Sequence, residues 1–96
     1  MPFPEQTPRL FIREGIEALT PDQTGCYGIY SGSTCIYVGK GDIRGRLLDR
    51  LAGSSVDTGI HRENPTHFVI VLSDNPDELE KELILELDPI CNKQVD

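Results

Sequence analysis

On chemical grounds the residue to start from is Glu80. The segment 77–87, DELEKELILEL, has the spacing of an amphipathic helix. At about 100° per residue, Leu79, Leu83, Leu87 and Ile84 share one apolar arc, and Glu80 lies inside it. Glu78, Glu82 and Glu86 fall outside that arc and Asp77 at its edge. A carboxylate aimed at the protein's body must be paired, hydrogen-bonded or bound to a metal if it is to stay ionised. A salt bridge to an arginine meets that need, and so does the work of a metal ligand or an acid in a pocket. Cations that could answer it are Lys40, Arg44, Arg46 and Arg50, set against only Asp42 and Asp49. Just before them come three tyrosines, Tyr27, Tyr30 and Tyr37.

The elements that must position these residues can be read from local signals. GCYGIY and CIYVGK are aromatic and β-branched runs around the turn-former SGST, which predicts a β-hairpin over about 25–40. Asp42 is a suitable N-cap for a helix over 43–52. In that helix Ile43, Leu47, Leu48 and Leu51 form one face, with Arg46 and Arg50 beside it and Arg44 in its first turn. Phasing therefore selects no single arginine. A polar loop leads to a third strand, THFVIVLS, over 66–73, and Asn75-Pro76 opens the Glu80 helix, which stops before Pro89. Residues 1–8, with three prolines, read as an extended lead-in, and 10–19 can hold a short helix before the turn signal Thr20-Pro21-Asp22. The expected fold is α+β: a three-stranded, mainly antiparallel sheet of a hairpin plus one strand, flanked by helices. Residues 1–19 form an N-terminal extension and 20–94 the domain.

Composition bounds the reading. A chain of 96 residues has room for one core. No stretch approaches the ~18 consecutive apolar residues of a membrane helix, and the first residues lack a secretory pattern. Cys26, Cys35 and Cys91 are odd in number and widely spaced, which argues against a zinc site or a disulfide framework and for buried thiols in a reducing cytoplasm. The net charge of −7 argues at first against nucleic acid. It is unevenly spread, however. Seven acids and one base fall between Asp74 and Asp88, whereas Lys40 to Arg50 is net positive. His61 and Arg62 read as a solvated loop and His67 as structural.

Together these residues resemble the GIY-YIG nuclease family over about 20–94. Tyr37-Val38-Gly39-Lys40 matches the second half of the family name. Arg46-Leu47 fits the arginine of the basic helix that follows. Leu79 to Ile84 with Pro89-Ile90-Cys91-Asn92 resembles the glutamate helix and the asparagine after it. The literal Gly28-Ile29-Tyr30 lies seven residues before Tyr37, whereas Gly25-Cys26-Tyr27 lies ten before it, the spacing of the UvrC-type branch. Strand alternation puts Tyr27 and Tyr30 on opposite faces, so one of them faces the site, and Tyr27 is the better match. Gly39 to Arg46 is one residue shorter than in that branch, which keeps Arg44 as a second candidate.

The resemblance implies a metal-dependent endonuclease that hydrolyses DNA phosphodiester bonds, as in DNA repair. Glu80 would hold Mg²⁺ or Mn²⁺, Arg46 would bind the scissile phosphate, and Tyr37 or Tyr27 would be the general base, with Lys40 or the metal easing its ionisation. Lys40 and Asn92 complete the substrate-binding set, Asn92 by orienting the last segment. DNA would be bound weakly and through its backbone, with specificity supplied by a protein partner, a homodimer or DNA shape. The alternative is a non-catalytic nucleic-acid-binding or protein-docking module on the same fold. A small-molecule hydrolase has no nucleophile constellation here.

Overall fold

The computed structural model describes residues 3–53 and 59–94, in the order β1 (Arg9–Leu10), α1 (Arg13–Glu17), β2 (Thr24–Ser31), β3 (Thr34–Asp42), α2 (Ile43–Ala52), β4 (His67–Leu72) and α3 (Pro76–Leu87). Short 3₁₀ turns lie at His61–Glu63 and Ile90–Gln94. The expected hairpin forms with Gly32 and Ser33 at its tip, since Ser31 is the register partner of Thr34. α2 starts where its cap predicts: the Asp42 carboxylate accepts a hydrogen bond from the Gly45 N–H at 3.2 Å. It ends on Gly53, whose left-handed backbone (φ 65°) suits glycine. α3 opens on Pro76 and carries Asp77 and Glu78 in its first turn, where the helix dipole favours negative charge.

The sheet has four strands in the order β1-β4-β2-β3, all antiparallel, rather than the expected three. The extra strand is two residues long and pairs Arg9 with Phe68 and Leu10 with His67. Both of its residues are exposed, so it carries no alternation to announce it. It also takes the start of the expected 10–19 helix, leaving α1 only five residues with no side-chain cap. The N-terminal segment is part of the packing: Phe3 is fully buried against the sheet.

Alternation along the strands builds two cores. Tyr27, Ile29, Phe68 and Ile70 face Ile16 of α1 and Ile43 and Leu47 of α2. Cys26, Val38 and Val69 face Phe3 and Leu83 of α3. Leu83 is 2% exposed, and burying it contributes about 1.5–3 kcal/mol. The sheet is thus a middle layer with helices on both faces. A bulge interrupts the hairpin: Ile29 opposes Tyr37 but Tyr30 opposes Cys35, so Ile36 is an added residue. All three cysteines are free and buried.

Two side-chain amides close the open edges of the sheet. Gln6 accepts from the Ile70 N–H at 3.0 Å and donates to the Ile70 carbonyl at 2.8 Å. Asn92 accepts from the Val38 N–H at 2.8 Å and donates to the Val38 carbonyl at 3.0 Å. Each side chain stands in for a peptide group of a missing neighbour strand, which satisfies backbone groups and blunts the edge. Asn92→Ala should therefore destabilise the protein by about 1–3 kcal/mol in urea unfolding. It should also speed amide hydrogen exchange at Val38; unchanged exchange there would show that the amide is dispensable.

Candidate active site

The site forms on β3, the outer strand, which is touched by α2 and by α3. The bulge decides which tyrosines meet there. In strict alternation Tyr37 would share a face with Cys35, but the added Ile36 turns Tyr37 toward Tyr27 and the α2 side. The rings of Tyr27 and Tyr37 are 6.2 Å apart, tilted by 42°. Tyr30 lies in the other core, beside Cys35. Tyr27 is opposite Gly39 in the ladder, and its ring lies over that residue. A methyl group on Gly39 would overlap the Tyr27 hydroxyl. Glycine is required here for close approach of the ring.

Two arginines of α2 act on this pair. Arg50 donates through Nε to the Tyr27 hydroxyl at 3.4 Å, and its guanidinium carbon stands 5.2 Å from the centre of the Tyr37 ring. Arg46, one turn earlier and exposed, folds over Gly41. Burial pushes the Tyr27 hydroxyl up to about 12, opposed by the Arg50 hydrogen bond and by the Arg50 and Arg46 charges. Tyr37 is also raised by burial, opposed by Arg50 and Arg46 and reinforced by Glu80. Lys40, expected to ease tyrosine ionisation, is not among the groups acting on either ring. It stands at the carboxylates instead, and the arginines take its place. Arg44 is half-buried, and its Nε is buried with no hydrogen-bond partner.

Glu80 is the least exposed acid of α3, with its side chain 21% exposed against 71% for Asp77. Its cationic neighbour is a lysine, not an arginine. Lys40 Nζ lies 2.8 Å from Asp77 Oδ1 and 3.6 Å from Glu80 Oε1. The hydrogen bond and charge of Lys40 lower the Asp77 carboxyl, and the two carboxylates raise Lys40. No group of three or more His, Cys, Asp or Glu side chains comes together among the described residues. A hard divalent cation held here would take the Glu80 carboxylate as its protein ligand and water at the remaining positions. The ammonium beside Glu80 shows that this position already attracts positive charge.

Neither a protein-family model nor a curated protein matches this sequence. Solved structures do. Three are of the GIY-YIG N-terminal endonuclease domain of UvrC from Thermotoga maritima, each a point mutant bound to its catalytic divalent cation. An asparagine-to-alanine mutant superposes with TM-score 0.62 at 24% identity, over 82% of this chain and 91% of that one. Two tyrosine-to-phenylalanine mutants give TM-scores of 0.63 at 23% and 24% identity, each over 83% of this chain and 92% of the other. The chain has a GIY-YIG-like fold.

In this GIY-YIG-like arrangement Tyr27, Tyr37, Arg46, Lys40 and Glu80 all border β3. Asn92 commits both ends of its amide to Val38 and so anchors the last segment. His61 pairs through Nε2 with the Arg50 carbonyl at 3.0 Å, and His67 with the Thr66 hydroxyl at 2.9 Å. Burial disfavours the thiolate form of all three cysteines, pushing Cys26 and Cys35 up to about 11 and raising Cys91. Sequence reasoning named Arg50 only as one of several cations available to Glu80 and Asp77 only as an acid at the edge of the apolar arc, and gave neither a place in the site. The signal for Arg50 was its place four residues after Arg46, on the same stripe of α2; for Asp77 it was its position three before Glu80, at the edge of the apolar arc.

Gly39→Ala should displace the Tyr27 ring, costing about 1–3 kcal/mol and altering the tyrosine near-UV circular dichroism. Unfolding should also depend on pH through Tyr27. The unfolded tyrosine ionises near 10 and the folded one near 12, so the native state holds more protons in between and stability falls as pH rises from 10 to 12. Tyr30, pushed up to about 12 by burial, adds to that fall. Tyr27→Phe should flatten the decline; an equally steep one in that variant would contradict the assignment.

Proposed function

We propose that this protein is a metal-dependent endonuclease domain that hydrolyses DNA phosphodiester bonds. The observation that carries the reading is the meeting at one strand of a half-buried tyrosine, two arginines and an inward carboxylate. Tyr37 ionisation responds to Arg50, Arg46 and Glu80 together, so a single side chain registers both sides of the site. Support also comes from the fold, shared with endonuclease domains that carry a catalytic divalent cation.

The roles divide by exposure. Tyr27 is 1% exposed and cannot meet water, so it supports its neighbour. Tyr37 is the general base: its phenolate oxygen takes a proton from the attacking water, and the arginine charges ease formation of that phenolate. Arg46, exposed and close to the tyrosine pair, binds two oxygens of the scissile phosphate through its planar fork. Lys40 adds a positive charge at the rim, held in place by Asp77. Glu80 would hold Mg²⁺ or Mn²⁺, which when bound supplies Lewis-acid stabilisation of the phosphate and the leaving oxygen. Contacts of this kind address the DNA backbone rather than bases, so binding is weak, salt-sensitive and sequence-tolerant.

Purified protein should nick duplex DNA with Mg²⁺ or Mn²⁺ and not with a chelator. Glu80→Ala and Arg46→Ala should each lower the rate by about a hundredfold or more. Nicking that survives Glu80→Ala would overturn the mechanism. A second reading, a nucleic-acid-binding or protein-docking module without catalysis, is favoured by one observation: Lys40 already pairs with both Asp77 and Glu80. Titration with millimolar Mg²⁺ by NMR separates the two, since a module of that kind would show no shifts around Glu80.

A further inference from the structure

Helical phasing left Arg50 as one of several arginines and the family resemblance gave it no role, yet it contacts both Tyr27 and Tyr37. Its Nε lies 3.4 Å from the Tyr27 hydroxyl oxygen, and its guanidinium faces the Tyr37 ring at 5.2 Å. One planar group thus bridges both rings, donating at the edge of one and stacking on the face of the other. Its backbone is fixed as well. The Arg50 carbonyl is held by Gly53 N at 3.2 Å and by His61 Nε2 at 3.0 Å, which pins the last turn of α2. Among the described residues no carboxylate forms an ion pair with Arg50, although the neighbouring Asp49 acts on it electrostatically.

We propose that Arg50 is a positioning residue for Tyr37, locking the Tyr27–Tyr37 pair and keeping a fixed positive charge beside the ring that takes the proton. This rests on Tyr37 being the general base. The charged and titratable groups around the pair are Arg50 and Arg46 on α2, Glu80 on α3, and Cys91 after it. Of these, Arg50 opposes the effect of burial on Tyr37 most strongly. Arg46 is the exposed cation available to phosphate; Arg50 is the anchored one that prepares the base.

The test uses Arg50→Gln, which keeps an N–H donor and loses the charge, beside Arg50→Lys, which keeps the charge. Tyrosine ionisation, read by absorbance near 295 nm on the free protein, should move to higher pH by about half a pH unit in Arg50→Gln and stay near wild type in Arg50→Lys. The nicking rate of Arg50→Gln should fall about tenfold or more with KM little changed, its pH profile shifting upward; Arg50→Lys should restore part of it. An Arg50→Gln protein that folds and titrates like wild type overturns the proposal. If Arg50→Gln fails to fold, an Arg50→Lys protein titrating at higher pH than wild type overturns it instead. Wild type that never nicks DNA, combined with the expected titration shift, would remove the nuclease reading and leave the hold of Arg50 on the tyrosines standing.

Discussion

The ring of Tyr27 lies across a residue with no side chain, and the α2 side of the site depends on that contact. Gly39 lets the aromatic ring settle against the neighbouring strand, fully buried, with its hydroxyl reaching Arg50. The bulge at Ile36 then turns Tyr37 to the same face. Without the bulge the second ring would sit on the α3 side with Cys35. Without the glycine the first ring would be pushed off the strand. A packing constraint of a few ångströms thus sets the geometry of the group assigned to move a proton.

Charge is arranged on a similarly short scale. The chain is acidic overall, but seven of its 16 acids fall between Asp74 and Asp88, and four of those stand exposed on α3. At β3 the balance reverses: Arg46 and Arg50 approach from one side, while Lys40 answers Asp77 and Glu80 on the other. A phosphate approaching this edge meets local cations before it feels the net charge, because screening in salt limits each charge to about 10 Å or less. The net charge therefore does not exclude nucleic acid. Any affinity for nucleic acid would depend strongly on ionic strength.

Much of this was legible in the sequence because it rests on local rules. Asp42 as a cap, the SGST turn and the Pro76 start all act within a few residues, and each element stands where those signals put it. Helical phasing alone set Glu80 apart, because an acid within an apolar arc is conspicuous in one dimension. β1 was not legible: two exposed residues carry no period, and their pairing with β4 joins segments more than fifty residues apart. The same holds for Gln6 on Ile70 and Asn92 on Val38, where a polar side chain completes a distant backbone.

By itself, then, the sequence determined which residues were available for chemistry and which face of each helix would be buried, since both follow from side-chain type and the period of the backbone. The tertiary structure decided the rest. It chose Lys40 rather than an arginine as the partner of Glu80, turned Tyr37 toward Tyr27 through one added residue, and brought Arg50 rather than Lys40 to the tyrosines. Those outcomes depend on strand register and on how helices seat against a sheet. Shifts of a single residue there change which side chains meet, while leaving every local signal as it was.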